Sequence, residues 1–131
     1  MMNKRLRIIS ESIGQVIAEL KDELNPKTCE KIWKALPLEG NANLWGDEIY
    51  FSVGLEIELE NAKQDVEVGD IAYWPPGKAV CIFFGPTPVS SGEKPRAYSP
   101  VNVFAKVVGD ARIFKKVKEG ERMILERVNS I

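Results

Sequence analysis

Val68–Pro88, VGDIAYWPPGKAVCIFFGPTP, is the stretch whose reading decides the fold. It reads as a short strand over Ile71–Trp74, a rigid Pro75-Pro76-Gly77 turn, a strand over Ala79–Phe84 almost without polar groups, and a second turn holding Pro86 and Pro88. Strand side chains alternate between two faces, so an unbroken apolar run puts hydrophobic groups on both sides of a sheet. Ala79–Phe84 is therefore expected at the centre of a sheet, covered on both faces. Pro75-Pro76-Gly77 fits a type II turn, with Pro76 setting φ and Gly77 taking the positive φ. Either proline there fits a cis bond as well as a trans one.

Around this stretch the chain has ordinary globular composition: 131 residues, 44% hydrophobic and 28% charged. That is enough for one core, and a single domain over residues 1–131 is expected, needing no metal or disulfide to fold. The net charge of −1 gives no basic field for nucleic acid. No apolar run is long enough to span a bilayer as a helix, and Met1–Arg7 leads into an alternating strand rather than a signal-peptide core, so a cytoplasmic protein is expected. Cys29 and Cys81 belong to no CxxC pair and read as buried thiols. With no histidine in the chain, Ser/His and Cys/His nucleophiles and the commonest metal ligand are excluded. The sequence calls for no metal and no cofactor, and any catalysis falls to carboxylates, Lys, Arg, Tyr or backbone dipoles.

Leu6–Ser12 and Gln15–Leu20 alternate as a hairpin bent at Gly14. Asn25-Pro26 gives an N-cap and a first-turn proline, and Cys29, Ile32, Trp33 and Leu36 follow at helical spacing until Pro37. Trp33 reads as the anchor of that helix in the core. Gly40–Asn43 reads as a polar loop. Trp45–Val53 reads as a strand with Glu48 and Tyr50 on its polar face, and Leu55–Lys63 as a charged edge strand. Val89–Tyr98 is the one long flexible segment, a connection or a flap over a site. Val101–Val108 and Arg122–Val128 read as strands, with a short helical turn within Gly109–Lys118. The pattern predicts a mainly β fold: a closed antiparallel eight-stranded barrel with one α-helix and a helical turn.

The segments CIFFGPTP and FAKVVGDARIFKKVKEG resemble the cyclophilins, the prolyl-isomerase β-barrels. With WGDEIYF, GDIAYWPPG and VNVFAKVV in the same order, nearly the whole chain is similar to the small prokaryotic cyclophilin-like proteins, relatives of unknown function. The resemblance implies an eight-stranded barrel with helices over its ends and a groove on its outer wall. In cyclophilins that groove takes an X-Pro segment, and the position matching the proline pocket is Phe83 or Phe84. Their catalytic arginine falls on the strand matching Trp45–Val53, which carries Asp47 and Glu48 and no arginine; their pocket histidine is missing too. Isomerases lower a barrier of roughly 18–20 kcal/mol by donating to the prolyl nitrogen, which an ionised carboxylate does not do. Arg96, in the flexible segment, is weighed as a donor reaching over the groove and is not expected to fill that role.

Seven of the eleven aromatic residues lie between positions 45 and 84. By alternation Phe51 and one of Phe83 or Phe84 pack the core, while Trp45, Tyr50, Tyr73 and Trp74 stand at strand ends or on polar faces, where binding grooves have their walls. Asp70 after Gly69 reads as a turn cap. Asp47 and Glu48, being adjacent, point to opposite faces and form no cooperating pair. The candidate ligand-binding set is therefore Trp45, Asp47, Glu48, Tyr50, Tyr73, Trp74, Phe83 and Phe84. The leading expectation is a module binding a peptide, such as an X-Pro segment, or a small organic ligand. The alternatives are a prolyl isomerase with another donor, Tyr50 or a backbone amide, and a small-molecule enzyme using Asp47 or Glu48 as general acid/base.

Overall fold

A computed structural model describes residues 4–128. Along the chain come β1 (Arg5–Ser10), β2 (Gly14–Leu20), α1 (Pro26–Ala35), β3 (Leu38–Asn41), β4 (Asn43–Leu44), β5 (Glu48–Ser52), β6 (Lys63–Asp65), β7 (Asp70–Trp74), β8 (Ala79–Phe83), β9 (Arg96–Val107) and β10 (Arg122–Arg127). Short 3₁₀ helices occupy Pro75–Gly77 and Ala111–Lys116. The ten strands form one antiparallel sheet in the order β3-β10-β1-β2-β9-β7-β8-β5-β4, with β6 paired to β9. None of the described helices is long and apolar enough to cross a membrane.

The sheet is open, which overturns the closed eight-stranded barrel expected from the sequence. Its two ends share the segment from Leu38 to Leu44: β3 pairs with β10, and β4 pairs with β5. Between them Ala42 donates its N–H to the Glu121 carbonyl and accepts from the Gly120 N–H, both at 2.8 Å. Gly40 lies flat on β5, where a Cβ would stand 2.7 Å from the Ser52 carbonyl oxygen. The ends meet by packing, and no ladder joins β3 to β5 among the described residues.

Two segments exchange roles relative to the sequence reading. Gly40–Asn43 is mostly strand, because β10 and β5 offer it ladder partners. Leu55–Lys63 is not an edge strand, because side chains satisfy its backbone. The Tyr73 hydroxyl donates to the Leu55 carbonyl and accepts from the Ile57 N–H. Asn102 Oδ1 accepts from the Glu60 N–H at 2.9 Å, and Asn25 Oδ1 from the Asn61 N–H at 2.7 Å. Alternation in a sequence reports which faces are wet, not which group takes each hydrogen bond.

β8 is fully buried between β7 and β5, as its composition requires. Val80 and Ile82 face the main core with Phe51, Ile71, Phe104 and Phe114, while Cys81 and Phe83 face a second cluster on the other side of the sheet. α1 covers the main core through Cys29 and Ile32. Trp33 is only half-buried at its margin, between the cations of Lys4 and Arg127. Asn25 spends its side chain on Val103 and Asn61 rather than on the helix, and Glu60 caps it instead, accepting from the Lys27 and Thr28 N–H groups at 3.1 Å. At Pro75–Gly77 a 3₁₀ turn replaces the type II turn, and Lys78, not Gly77, takes the positive φ, 47°. The cis bond among the described residues precedes Pro37, so Pro75 and Pro76 are trans.

Candidate functional site

The second cluster, on the outer face of the sheet, comprises Val66, Ala72, Cys81, Phe83, Ala97, Val101 and Val103. Tyr50 and Trp74 pack on it, half-buried. Above it opens a pocket of about 230 Å³, bounded by Trp45, Glu48, Tyr50, Trp74, Ala97, Tyr98 and Val101. Period-2 geometry explains the β5 contribution: Glu48 and Tyr50 share a face, and Ile49 and Phe51 point to the main core.

Each aromatic wall has its own support. Trp45 begins a tight turn, its N–H donating to the Glu48 carbonyl at 2.9 Å. Gly46 in that turn has φ 60°, and a Cβ there would lie 2.8 Å from Pro88 Cδ, so only glycine fits. The Trp74 ring rests on Gly77, where a Cβ would come within 2.7 Å of the indole. Trp74 Nε1 donates to Ser99 Oγ at 2.7 Å. Tyr98 and Ser99 come from a bulge of β9: Lys63 pairs with Val101 and Asp65 with Arg96, so a two-residue step on β6 faces a five-residue step on β9. The sequence reading put this segment in a flexible loop, yet β9 already begins at Arg96.

The rings stand edge to face: Trp45 and Tyr98 with centroids 5.9 Å apart, Trp74 and Tyr98 6.1 Å, and Tyr50 and Trp74 6.0 Å. Glu48 is the one charged side chain on the wall, and it is only 5% exposed. None of the ion pairs among the described residues includes it. Burial pushes its carboxyl up to about 7, against the hydrogen bond from the Cys81 thiol, which pulls the other way. Burial, together with the Glu48 charge, raises that thiol well above its usual range. No group of three or more His, Cys, Asp or Glu side chains among the described residues is arranged to hold a metal.

Over residues 4–126 the sequence matches the family described as Cyclophilin-like. The chain belongs to the cyclophilin-like family. The fold of this cyclophilin-like protein is similar to the solution structure of a hypothetical protein from Archaeoglobus fulgidus, with 46% sequence identity, 96% of this chain and 95% of that one covered, and a TM-score of 0.81. Among curated proteins no relative matches.

Of the eight site residues expected from the sequence, the structure gathers Trp45, Glu48, Tyr50 and Trp74 around the pocket. The other four lie elsewhere. Phe83 supports the pocket from the cluster below it, while Phe84 turns to the main core against Phe114, centroids 6.3 Å apart. Tyr73 is in the main core, holding the Leu55–Ile57 segment. Asp47, in the turn just before β5, points away from Glu48 toward Gly85 and Lys115. Asp70 accepts from the Glu67 N–H at 2.8 Å, a turn cap as its sequence context indicated. Arg96 is held by Asp65 at 2.9 Å and Gln64 at 3.1 Å. Tyr98, Ala97 and Val101 were missed; the one signal was an aromatic residue at the end of an otherwise polar segment.

Proposed function

We propose that this protein is a binding module that takes a small organic ligand in the pocket between β5, β7 and the bulge of β9. The observation that carries this reading is the four-ring wall of Trp45, Tyr50, Trp74 and Tyr98, drawn from separate segments and enclosing about 230 Å³. Concave aromatic pockets with one or two polar groups are the usual form of a small-molecule site. The same reading explains why the arginine of a prolyl isomerase is dispensable here. Among the described residues no cationic donor lines the pocket, and Arg96 is engaged with Asp65.

One observation favours a second reading, an enzyme using Glu48 as general acid/base: a carboxyl near 7 exchanges protons readily at neutral pH.

The test is a ¹⁵N NMR titration of the full chain with a set of small ring compounds and amines, and separately with an X-Pro peptide. We expect fragments to shift the indole N–H signals of Trp45 and Trp74 and leave Trp33 unmoved. Silence of both pocket indoles across the set would sink the small-ligand reading. Faster cis/trans exchange of the peptide would replace it with an isomerase.

A further inference from the structure

We infer that the ligand carries an organic ammonium head group, a methylated amine whose charge sits among the rings of Trp45, Tyr50, Trp74 and Tyr98 and is neutralised by Glu48. The inference rests on the small-ligand reading above and adds the ligand's chemical class.

Interplanar angles of 72–84° set neighbouring rings as walls rather than as a stack. Aromatic faces carry negative potential, and boxes of such rings are the recognised way of holding quaternary ammonium groups. Glu48 supplies what rings alone lack. It is a carboxylate with 5% exposure and no cationic partner among the described residues. A buried charge without a partner is costly, and a neutral ligand would leave that cost in place, while an anion would increase it. A cation removes it. Two basic side chains on segments next to the pocket are engaged elsewhere, Arg96 with Asp65 at 2.9 Å and Lys115 with Asp47 at 4.0 Å.

Methylation follows from the rest of the wall. Ala97, Val101 and the ring faces offer apolar contact, and Glu48 is the one charged acceptor. A primary ammonium would bring three donors to that single carboxylate and lose its hydration, whereas a methylated one has few or no N–H groups to leave unpaired. Size agrees. A cavity of about 150 Å³ accommodates benzene, so about 230 Å³ suits a trimethylammonium head with a short tail.

Cys81 from β8, Tyr50 on β5 and Tyr98 from β9 are the other titratable groups facing Glu48, while Asp47 is turned away. Glu48 changes charge near neutral pH, while burial holds the Cys81 thiol well above its usual range, so binding should level off above pH 7 and weaken toward tenfold per unit below it.

The experiment titrates the full chain with choline chloride and with its neutral carbon analogue, 3,3-dimethylbutan-1-ol, reading the Trp45 and Trp74 indole signals at pH 8 and pH 5.5. We expect choline to bind at least tenfold tighter than the alcohol at pH 8 and to lose that advantage at pH 5.5. Glu48→Gln should weaken choline tenfold or more and leave the alcohol unchanged. Tyr98→Ala, at a ring that is 68% exposed and so removable without harm to the core, should weaken choline three- to tenfold. Equal binding of choline and the alcohol, or an unchanged choline affinity in E48Q, overturns the ammonium assignment and leaves the small-ligand reading standing. Silence toward both probes also overturns it. The small-ligand reading then falls only if the fragment set is silent as well.

Discussion

Trp74 Nε1 donates to Ser99 Oγ at 2.7 Å, tying the end of β7 to the bulge of β9. This bond joins the two sides of the pocket, because Trp74 also meets Tyr50 at 6.0 Å and Tyr98 at 6.1 Å. Ser99→Ala removes the acceptor and leaves the indole N–H without its partner. The expected cost is about 1 kcal/mol of stability, seen in urea unfolding, with an upfield move of one indole N–H signal. An unchanged indole signal would show that the bond does not form in solution.

Glu48 makes the stability of the protein fall with rising pH. Its carboxyl titrates near 7 in the folded protein because of burial, against 4.5 ordinarily. The folded state therefore holds the proton longer than the unfolded one, so the stabilising contribution is present below pH 4.5 and lost as pH rises through 7. At roughly 1.4 kcal/mol per unit, the full loss is on the order of 3 kcal/mol. Glu48→Gln removes this dependence. E48Q should gain about 2–3 kcal/mol over the wild type between pH 5 and pH 8 in chemical denaturation, and a gap that stays constant across that range contradicts the assignment.

Gly77 holds the Trp74 ring by having no side chain. An added Cβ would stand 2.7 Å from two ring carbons, so Gly77→Ala must displace the indole. We expect a loss of about 1–3 kcal/mol and altered tryptophan emission. Gly92→Ala, where nothing lies within 4 Å, serves as the control and should stay within about 0.5 kcal/mol.

Glu60 caps α1 from a distant segment. Its burial alone would raise the carboxyl, yet the Lys27 and Thr28 N–H groups and the Thr28 hydroxyl outweigh that and lower it. Glu60→Ala should cost about 1–2 kcal/mol and reduce the helical signal in circular dichroism. The same substitution at Glu58, whose side chain takes no part in the cap, gives the comparison; equal losses at both positions would mean that Glu60 is not the cap.

Much of the fold was readable along the chain. Six consecutive apolar residues from Ala79 to Phe84 cannot leave one sheet face wet, so the central position of β8 followed from composition alone. Asn25-Pro26 and the spacing of Cys29 and Ile32 marked α1, and alternation in β5 put Glu48 and Tyr50 on a common face. These features are local, with periods of 2 and 3.6 that any short window displays.

The open sheet and the finished pocket came only with the tertiary structure. Leu55–Lys63 alternates like a strand, but the Tyr73 hydroxyl and the Asn25 and Asn102 side chains take its hydrogen bonds. Gly40–Asn43 looks like a loop, yet it finds ladder partners in β10 and β5. Tyr98 sits in a polar run and becomes a pocket wall because the register of β6 against β9 forces a bulge beside Trp74. The sequence by itself determined that Glu48 shares a strand face with Tyr50. That this face is dry was decided by β7, β8 and β9, because the carboxyl is desolvated by side chains remote from it in the chain, and no local pattern records them.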